Sequence, residues 1–266
     1  GVTGVDEATK MTAQVSFRDY ELTALEVAQV TYATTSITRT GTPNVIIYRK
    51  SLTNFTGFKS EEKTLNATSY SASDGTTELS YTEYTYNGST TDGYDGNSET
   101  LDYTTTYRKS DMARLVSKTV YDTRLGQGDE LSDYTLNYKS DGTVKNTSIS
   151  FYGSNHLRTN AQDVNDHYLV DENTALSASV AFDGVRADLA TLTFTLTAAQ
   201  AVGRESVTYY LGGSKEEVAS YSVNYDKTNG TTVRDTTIFL YGDSHLKAGV
   251  TGVDEATKMT AQVSFR

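Results

Sequence analysis

The sequence contains no cysteine and no tryptophan, a single proline (Pro43) and three histidines in 266 residues. Without cysteine there is no disulfide scaffold, no thiol nucleophile and no cysteine-held iron–sulfur or zinc centre. The three histidines, His156, His167 and His245, are scattered and offer little to a transition metal. No apolar run approaches the roughly 20 residues that a membrane helix needs. The chain has no Gly-x-Ser-x-Gly elbow, no His-Glu-x-x-His and no phosphate-binding glycine loop. No pair of carboxylates or of basic residue and tyrosine stands out, so an enzyme such as a lyase is a distant third choice and the expectation is a non-enzyme.

Charge of one sign is also short: 23 Lys and Arg against 34 Asp and Glu leave a net charge of −11. A surface of that sign is a poor partner for nucleic acid. It keeps chains soluble and attracts divalent cations.

What is present in excess is repetition. Gly1–Arg18 and Gly249–Arg266 are the same eighteen letters, GVTGVDEATKMTAQVSFR, so 266 less 18 leaves 248 residues of unique sequence. The charge survives removal of the overlap, because Asp254, Glu255, Lys258 and Arg266 cancel. The sequence therefore reads as one 248-residue period of a tandem array with the start of the next copy attached, and its ends read as cuts. The alternating apolar positions Met11, Ala13, Val15 and Phe17, repeated as Met259, Ala261, Val263 and Phe265, predict a strand that joins one copy to the next. A variant of this expectation has separate subunits, each donating that strand to a neighbour.

Composition and periodicity predict β-structure. Threonine accounts for 44 residues and tyrosine for 20, both suited to a pleated, half-buried surface. Runs such as Thr143–Phe151, Thr191–Leu196 and Ser220–Tyr225 alternate with period two and read as strands. Asp74-Gly75, Asp141-Gly142 and Asn229-Gly230 lie between such runs as hairpin turns. Glu130–Arg158 matches Glu217–Lys247 through Tyr134, Leu136 and Tyr138 against Tyr221, Val223 and Tyr225, and through His156-Leu157 against His245-Leu246. Looser copies start at Glu78 and at Glu26-Val27-Ala28, so Glu21–Gln29 is expected to be strand despite its weak helical pattern. The expected architecture is all-β, an elongated array of about five stacked hairpin units continuous with neighbouring copies. Its units are 1–51, 52–110, 111–158, a diverged 159–203, and 204–248, with 249–266 opening the next copy.

Tyr225-Asp226 followed by Asn229-Gly230, Tyr121-Asp122 followed by Arg124-Leu125-Gly126, and Tyr86-Asn87-Gly88 resemble the tyrosine–aspartate hairpins of YD-repeat, or RHS-type, surface proteins. The resemblance covers about a third of the chain. It departs from the family at Gly142-Thr143-Val144 and Gly230-Thr231-Thr232, where Gly-Arg-Leu would stand. It implies a long, secreted, hairpin-repeat protein at the cell surface.

Several residues are candidates for binding. Asp92, Asp95, Asn97 and Glu99 form a loop of hard oxygen donors of the kind calcium uses, against the plainer reading of a solvated turn. Asp163, Asn165, Asp166, Asp171 and Glu172 make a second acidic run. Asn54, Asn66, Asn87, Asn146 and Asn229 are glycosylation sequons, with Asn87 and Asn229 at turns. His156 and His245 are repeat equivalents, expected to bond a neighbouring carbonyl at a structural turn. Most tyrosines hold fixed hairpin positions, where cross-strand pairs stabilise sheets. The leading expectation is a structural repeat of an extracellular filament, sheath or stalk whose partners are further copies of itself. The alternative is a surface adhesin with calcium-assisted or glycan-binding loops.

Overall fold

The computed structural model describes residues 10–18, 21–40, 45–57, 62–87 and 100–266. It is all-β, built of antiparallel strands in open sheets, with contacts gathered in two compact units, Gly1–Ser117 and Lys118–Arg266. The candidate calcium loop, Asp92 to Glu99, lies outside the described residues.

The first unit runs β1 (Ala13–Phe17), α1 (Ala24–Val27), β2 (Ser36–Arg39), β3 (Val45–Thr56), β4 (Lys63–Tyr70), β5 (Glu78–Tyr86) and β6 (Leu101–Tyr107). The twelve-residue β3 is its spine: the first half pairs with β2, and the second half pairs with β1 on one edge and β4 on the other. From β4 the chain meanders through β5 to β6. The turn between β4 and β5 is tied by the Asp74 carboxylate, which accepts from the amides of Thr76 and Thr77 and from the Thr77 hydroxyl. These donors favour the ionised form and hold its pKa down to about 2.

The second unit runs β7 (Leu115–Asp122), which starts at the unit boundary, β8 (Leu131–Tyr138), β9 (Val144–Tyr152), β10 (Leu176–Asp183), α2 (Ala198–Ala201), β11 (Arg204–Leu211), β12 (Val218–Tyr225), β13 (Val233–Tyr241), β14 (Leu246–Lys247) and β15 (Met259–Phe265). Strands β7 to β13 lie side by side in chain order, and β15 pairs with β13. Hairpins thus meet edge to edge through ladder hydrogen bonds. The core is one face of β9–β10–β11, where Ile149, Phe151, Ala178, Val180, Phe182 and Val207 are buried. The segment between β10 and α2 crosses that face and lays Leu189, Leu192, Phe194 and Leu196 on it; the alternating run Thr191–Leu196, expected as strand, pairs with no strand among the described residues and serves as this cover. A one-layer sheet cannot bury its own apolar side chains, so this crossover supplies the second layer.

The expected strand at Glu21–Gln29 is a correction. Ala24–Val27 is a single helical turn begun by a capping box: Thr23 accepts from the Glu26 amide while the Glu26 carboxylate accepts from the Thr23 amide. Glu26 also takes both Arg39 Nε and a terminal guanidinium nitrogen at 2.7 Å. With these donors its pKa is about 2. The Thr-x-x-Glu spacing was visible in the sequence, but the likeness of Glu26-Val27-Ala28 to a strand start outweighed it. Its true counterpart is Thr197-x-x-Gln200, which forms the same capping box on α2.

The two units share more than their hairpins. Adding 155 to the pairs of β3–β4 (51 with 69, 54 with 66, 56 with 63) gives those of β11–β12 (206 with 224, 209 with 221, 211 with 218), bulge included. The same offset carries β4–β5 onto β12–β13. Arg49 stacks on Tyr70 at 3.8 Å and Arg204 on Tyr225 at 3.7 Å. Gly75 and Gly230 both have φ of +63°. A Cβ on Gly230 would sit 1.6 Å from the Ala201 carbonyl oxygen, and one on Gly75 would sit 2.3 Å from that of Thr35. Gly142 also has positive φ, but a Cβ there would meet nothing within 4 Å. Gly230→Ala is therefore expected to destabilise by more than about 3 kcal/mol, because backbone must move, and Gly142→Ala by about 1–2 kcal/mol from its left-handed backbone alone. Denaturant midpoints of the two variants check the order; equal losses would disprove the close-approach argument.

Candidate functional site

Short apolar strands with one open edge form the site. The repeated sequence AQVSF is strand in both its copies and occupies two different berths. As β1 it pairs with β3: Ala13 with Asn54, Gln14 with Thr53, Val15 with Leu52, Ser16 with Ser51, and Phe17 with Arg49 across a bulge. As β15 it pairs with β13: Ala261 with Leu240, Gln262 with Phe239, Val263 with Ile238, Ser264 with Thr237, and Phe265 with Thr236. Among the described residues, each copy has that one strand neighbour, and its other edge carries no ladder.

The open edges expose apolar surface. On β15, Met259, Val263 and Phe265 are 43%, 43% and 58% exposed. Met11 precedes β1 and is exposed, whereas Val15 and Phe17 are half-buried. No charged residue and no proline stands between Met259 and Phe265, although strands that face water permanently are commonly guarded by both.

A corner carries the chain from β13 to β15. Tyr241 donates its hydroxyl to the Ala219 carbonyl at 2.6 Å. Gly242 donates its amide to the Lys258 carbonyl at 2.9 Å. His245 stands in the left-handed region at φ +52° with Nδ1 3.0 Å from the Thr260 hydroxyl. Asp254 and Thr257 bond each other through Thr257 Oγ1. The β9-to-β10 corner repeats every part: Tyr152 to the Ser132 carbonyl at 2.7 Å, Gly153 to Ala175, His156 at φ +51° against Ser177, and Asp171 with Thr174. Both histidines are turn residues, but each meets a side-chain hydroxyl where a carbonyl was expected. Burial also pushes the Tyr152 phenol up to about 12.

The acidic run beyond this corner serves turns. Asp163 accepts from the amides of Asn165 and His167, and Asp171 from that of Asn173. Among the described residues no three His, Asp or Glu are grouped as metal ligands. Of the sequons, Asn54 and Asn66 sit opposite each other on β3 and β4, with Asn54 Nδ2 donating to Asn66 Oδ1 at 2.7 Å. Asn146 lies on β9, accepts from Asn137 and donates to Glu205. Asn87 and Asn229 are exposed at turns; Asn229 Oδ1 already accepts from the amides of Thr231 and Thr232.

Sequence reading missed one repeat. Val170-Asp171-Glu172-x-Thr174 followed by Ala178-x-Val180-x-Phe182 has the spacing of Val253-Asp254-Glu255-x-Thr257 followed by Ala261-x-Val263-x-Phe265. The signal was present, but in the diverged stretch 159–203 the alternating run Thr191–Leu196 is the more conspicuous pattern. A scan against protein-family models finds no match to the chain, and no curated protein matches it.

The half-buried His156 ring lies 4.2 Å from that of Phe194 and 5.9 Å from that of Tyr209. Burial disfavours its charged form and lowers its pKa below 6.5. A lowered folded-state value means that the unfolded chain takes up the proton first, so stability falls as pH drops through about 6.5. The carboxylates add their losses only at lower pH, since Glu26 and Asp74 start from unfolded values of 4.5 and 3.8. Urea midpoints measured between pH 7.5 and pH 5 are expected to decline, with the slope reduced in His156→Gln. A flat profile would contradict the assignment.

Proposed function

We propose that the chain is the repeating structural element of a multi-copy β-sheet protein, a filament, sheath or stalk outside the cell, whose partners are further copies of itself. The observation that carries this reading is that the AQVSF strand of one repeated eighteen-residue sequence has two different berths in the same fold. A strand in a continuous antiparallel sheet needs two neighbours. Here the segment meets β3 in one berth and β13 in the other. A chain of copies offers both neighbours to one strand.

Further features support a mechanical role. The hydrogen bonding of the ladders is local and repeated, so stability is distributed among neighbouring strands as in other repeat proteins. The net charge recurs with every copy and keeps assemblies from merging sideways. The extracellular assignment rests on the likeness to long hairpin-repeat surface proteins, of which the YD-repeat type is one. Within this reading the exposed turns at Asn87 and Asn229 are the places where sugar would be attached.

Electron microscopy of the native material is the test. A uniform filament with a regular axial repeat, and a denatured mass of many periods or a self-assembling single period, are the expected results. A discrete particle of fixed copy number would end the filament reading.

A further inference from the structure

We propose that the joint between copies is a three-stranded unit, β13 of one copy, the shared AQVSF strand, and β3 of the next. The structure already contains this unit once, as β9–β10–β11. The inference rests on the multi-copy reading and specifies its contact residue by residue. The partner is a second copy of this chain, and the berth is the open edge of β15.

The argument is one of register. β10 is the third version of the repeated segment, with Ala178, Val180 and Phe182 at the places of Ala261, Val263 and Phe265. Toward β9 it pairs Leu176 with Tyr152, Ala178 with Phe151, Val180 with Ile149 and Phe182 with Thr147. β15 meets β13 in the same way, with Met259 on Tyr241, Ala261 on Leu240, Val263 on Ile238 and Phe265 on Thr236. Even the bulge agrees: Ser177 is skipped in one and Thr260 in the other.

Toward its other neighbour, β10 pairs Ala178 with Tyr209, Val180 with Val207 and Phe182 with Arg204, shifting register between Ala181 and Phe182. β1 meets β3 identically, with Ala13 on Asn54, Val15 on Leu52 and Phe17 on Arg49, shifting between Ser16 and Phe17. Each of the two open-edged strands therefore holds one half of what β10 holds whole. A strand that pairs β13 on one side retains on the other the edge that pairs β3.

Burial points the same way. Ala178, Val180 and Phe182 are 0%, 1% and 0% exposed between two neighbours and beneath the crossover, whereas Val263 and Phe265, beside one neighbour, are 43% and 58% exposed. The same side-chain pattern is a sealed core in one setting and an uncovered surface in the other. At the joint, Ala261, Gln262, Val263, Ser264 and Phe265 would face Asn54, Thr53, Leu52, Ser51 and Arg49 of the second copy, in place of that copy's own β1.

The full chain tests this, since it has no cysteine of its own. One variant carries Gln262→Cys. The other carries Thr53→Cys together with Val15→Asp and Phe17→Asp, which put charges into the apolar side of β1 and vacate the β3 edge. Mixed and oxidised, the two are expected to give a disulfide-linked dimer joining positions 262 and 53, identified by mass spectrometry. Adding Val263→Asp and Phe265→Asp to the first variant is expected to lower the yield at least tenfold. A second measurement leaves β1 intact: the chain with only Thr53→Cys is incubated with a peptide of the Gly1–Arg18 sequence carrying cysteine at the Gln14 position. Exchange of that strand is expected to label Thr53→Cys at least tenfold faster than a peptide with cysteine at the Val15 position, which faces the opposite side. Absence of the 262–53 link, a yield indifferent to the aspartates, or equal labelling by the two peptides would overturn the joint. None of these outcomes bears on whether the native material is a filament, so the joint can fail while the multi-copy reading stands.

Discussion

Every strand of an antiparallel sheet presents hydrogen-bonding groups to both sides, and an open sheet leaves two rows of them unpaired. That constraint governs this molecule more than any side-chain contact does. Its core is thin, its helices are one turn each, and no cross-link closes its loops. The ladders carry the fold. In the proposed joint, one segment that meets β3 on one side and β13 on the other would remove both open rows, using only the pairings already seen for β1 and β15.

The second requirement is a cover for the apolar face. In β9–β10–β11 it comes from the crossover, where Leu192 is 2% exposed and the Phe194 ring packs edge-on against Phe151 at 5.3 Å. The His156 corner belongs to this layer, since Phe194 lies against its ring. The His245 corner has the same left-handed histidine and an equivalent hydroxyl partner, Thr260 in the place of Ser177, yet His245 is exposed. Two corners of one design thus differ in burial because one has its crossover in place above it. The depressed pKa of His156 follows from its burial beneath that layer.

The sequence disclosed the local grammar well. Tyr-x-Φ-x-Tyr strands, the Asp141-Gly142 turn and the likeness of Glu130–Arg158 to Glu217–Lys247 correspond to β8–β9 and β12–β13, which pair in one register: Tyr134 with Ile149 as Tyr221 with Ile238, Tyr138 with Val144 as Tyr225 with Val233. What it hid depends on tertiary context. The one-turn helix at Ala24 is begun by its local capping box, but the ion pair that ties Glu26 to Arg39, thirteen residues further on, is stated by no local pattern. The 155-residue offset linking β3–β4–β5 to β11–β12–β13 is present in the sequence as spread identities, such as Arg49 with Arg204, Tyr70 with Tyr225 and Gly75-Thr76-Thr77 with Gly230-Thr231-Thr232, that make no single contiguous motif. It is fixed by hydrogen-bond register, by the Arg49–Tyr70 and Arg204–Tyr225 stacks and by the close approaches at Gly75 and Gly230. A glycine required by a neighbouring carbonyl looks in sequence like any other turn glycine.

The repeated strand differs from an ordinary edge in what it leaves out. Edges meant to face water are kept apart by inward charges, proline or strong bulges. From Met259 to Phe265 this chain offers apolar and uncharged polar side chains only, and β10 shows what that composition becomes with two neighbours and a covering crossover: a centre strand whose Ala178, Val180 and Phe182 are sealed. In the proposed joint the shared strand carries two bulges, the one observed at Thr260 on the β13 side and, on the β3 side, the one observed at Ser16-Phe17 of β1. A shift by one residue would turn Val263 and Phe265 to the opposite face and misplace both bulges at once. The same features that leave the edge unguarded therefore also restrict what can occupy it.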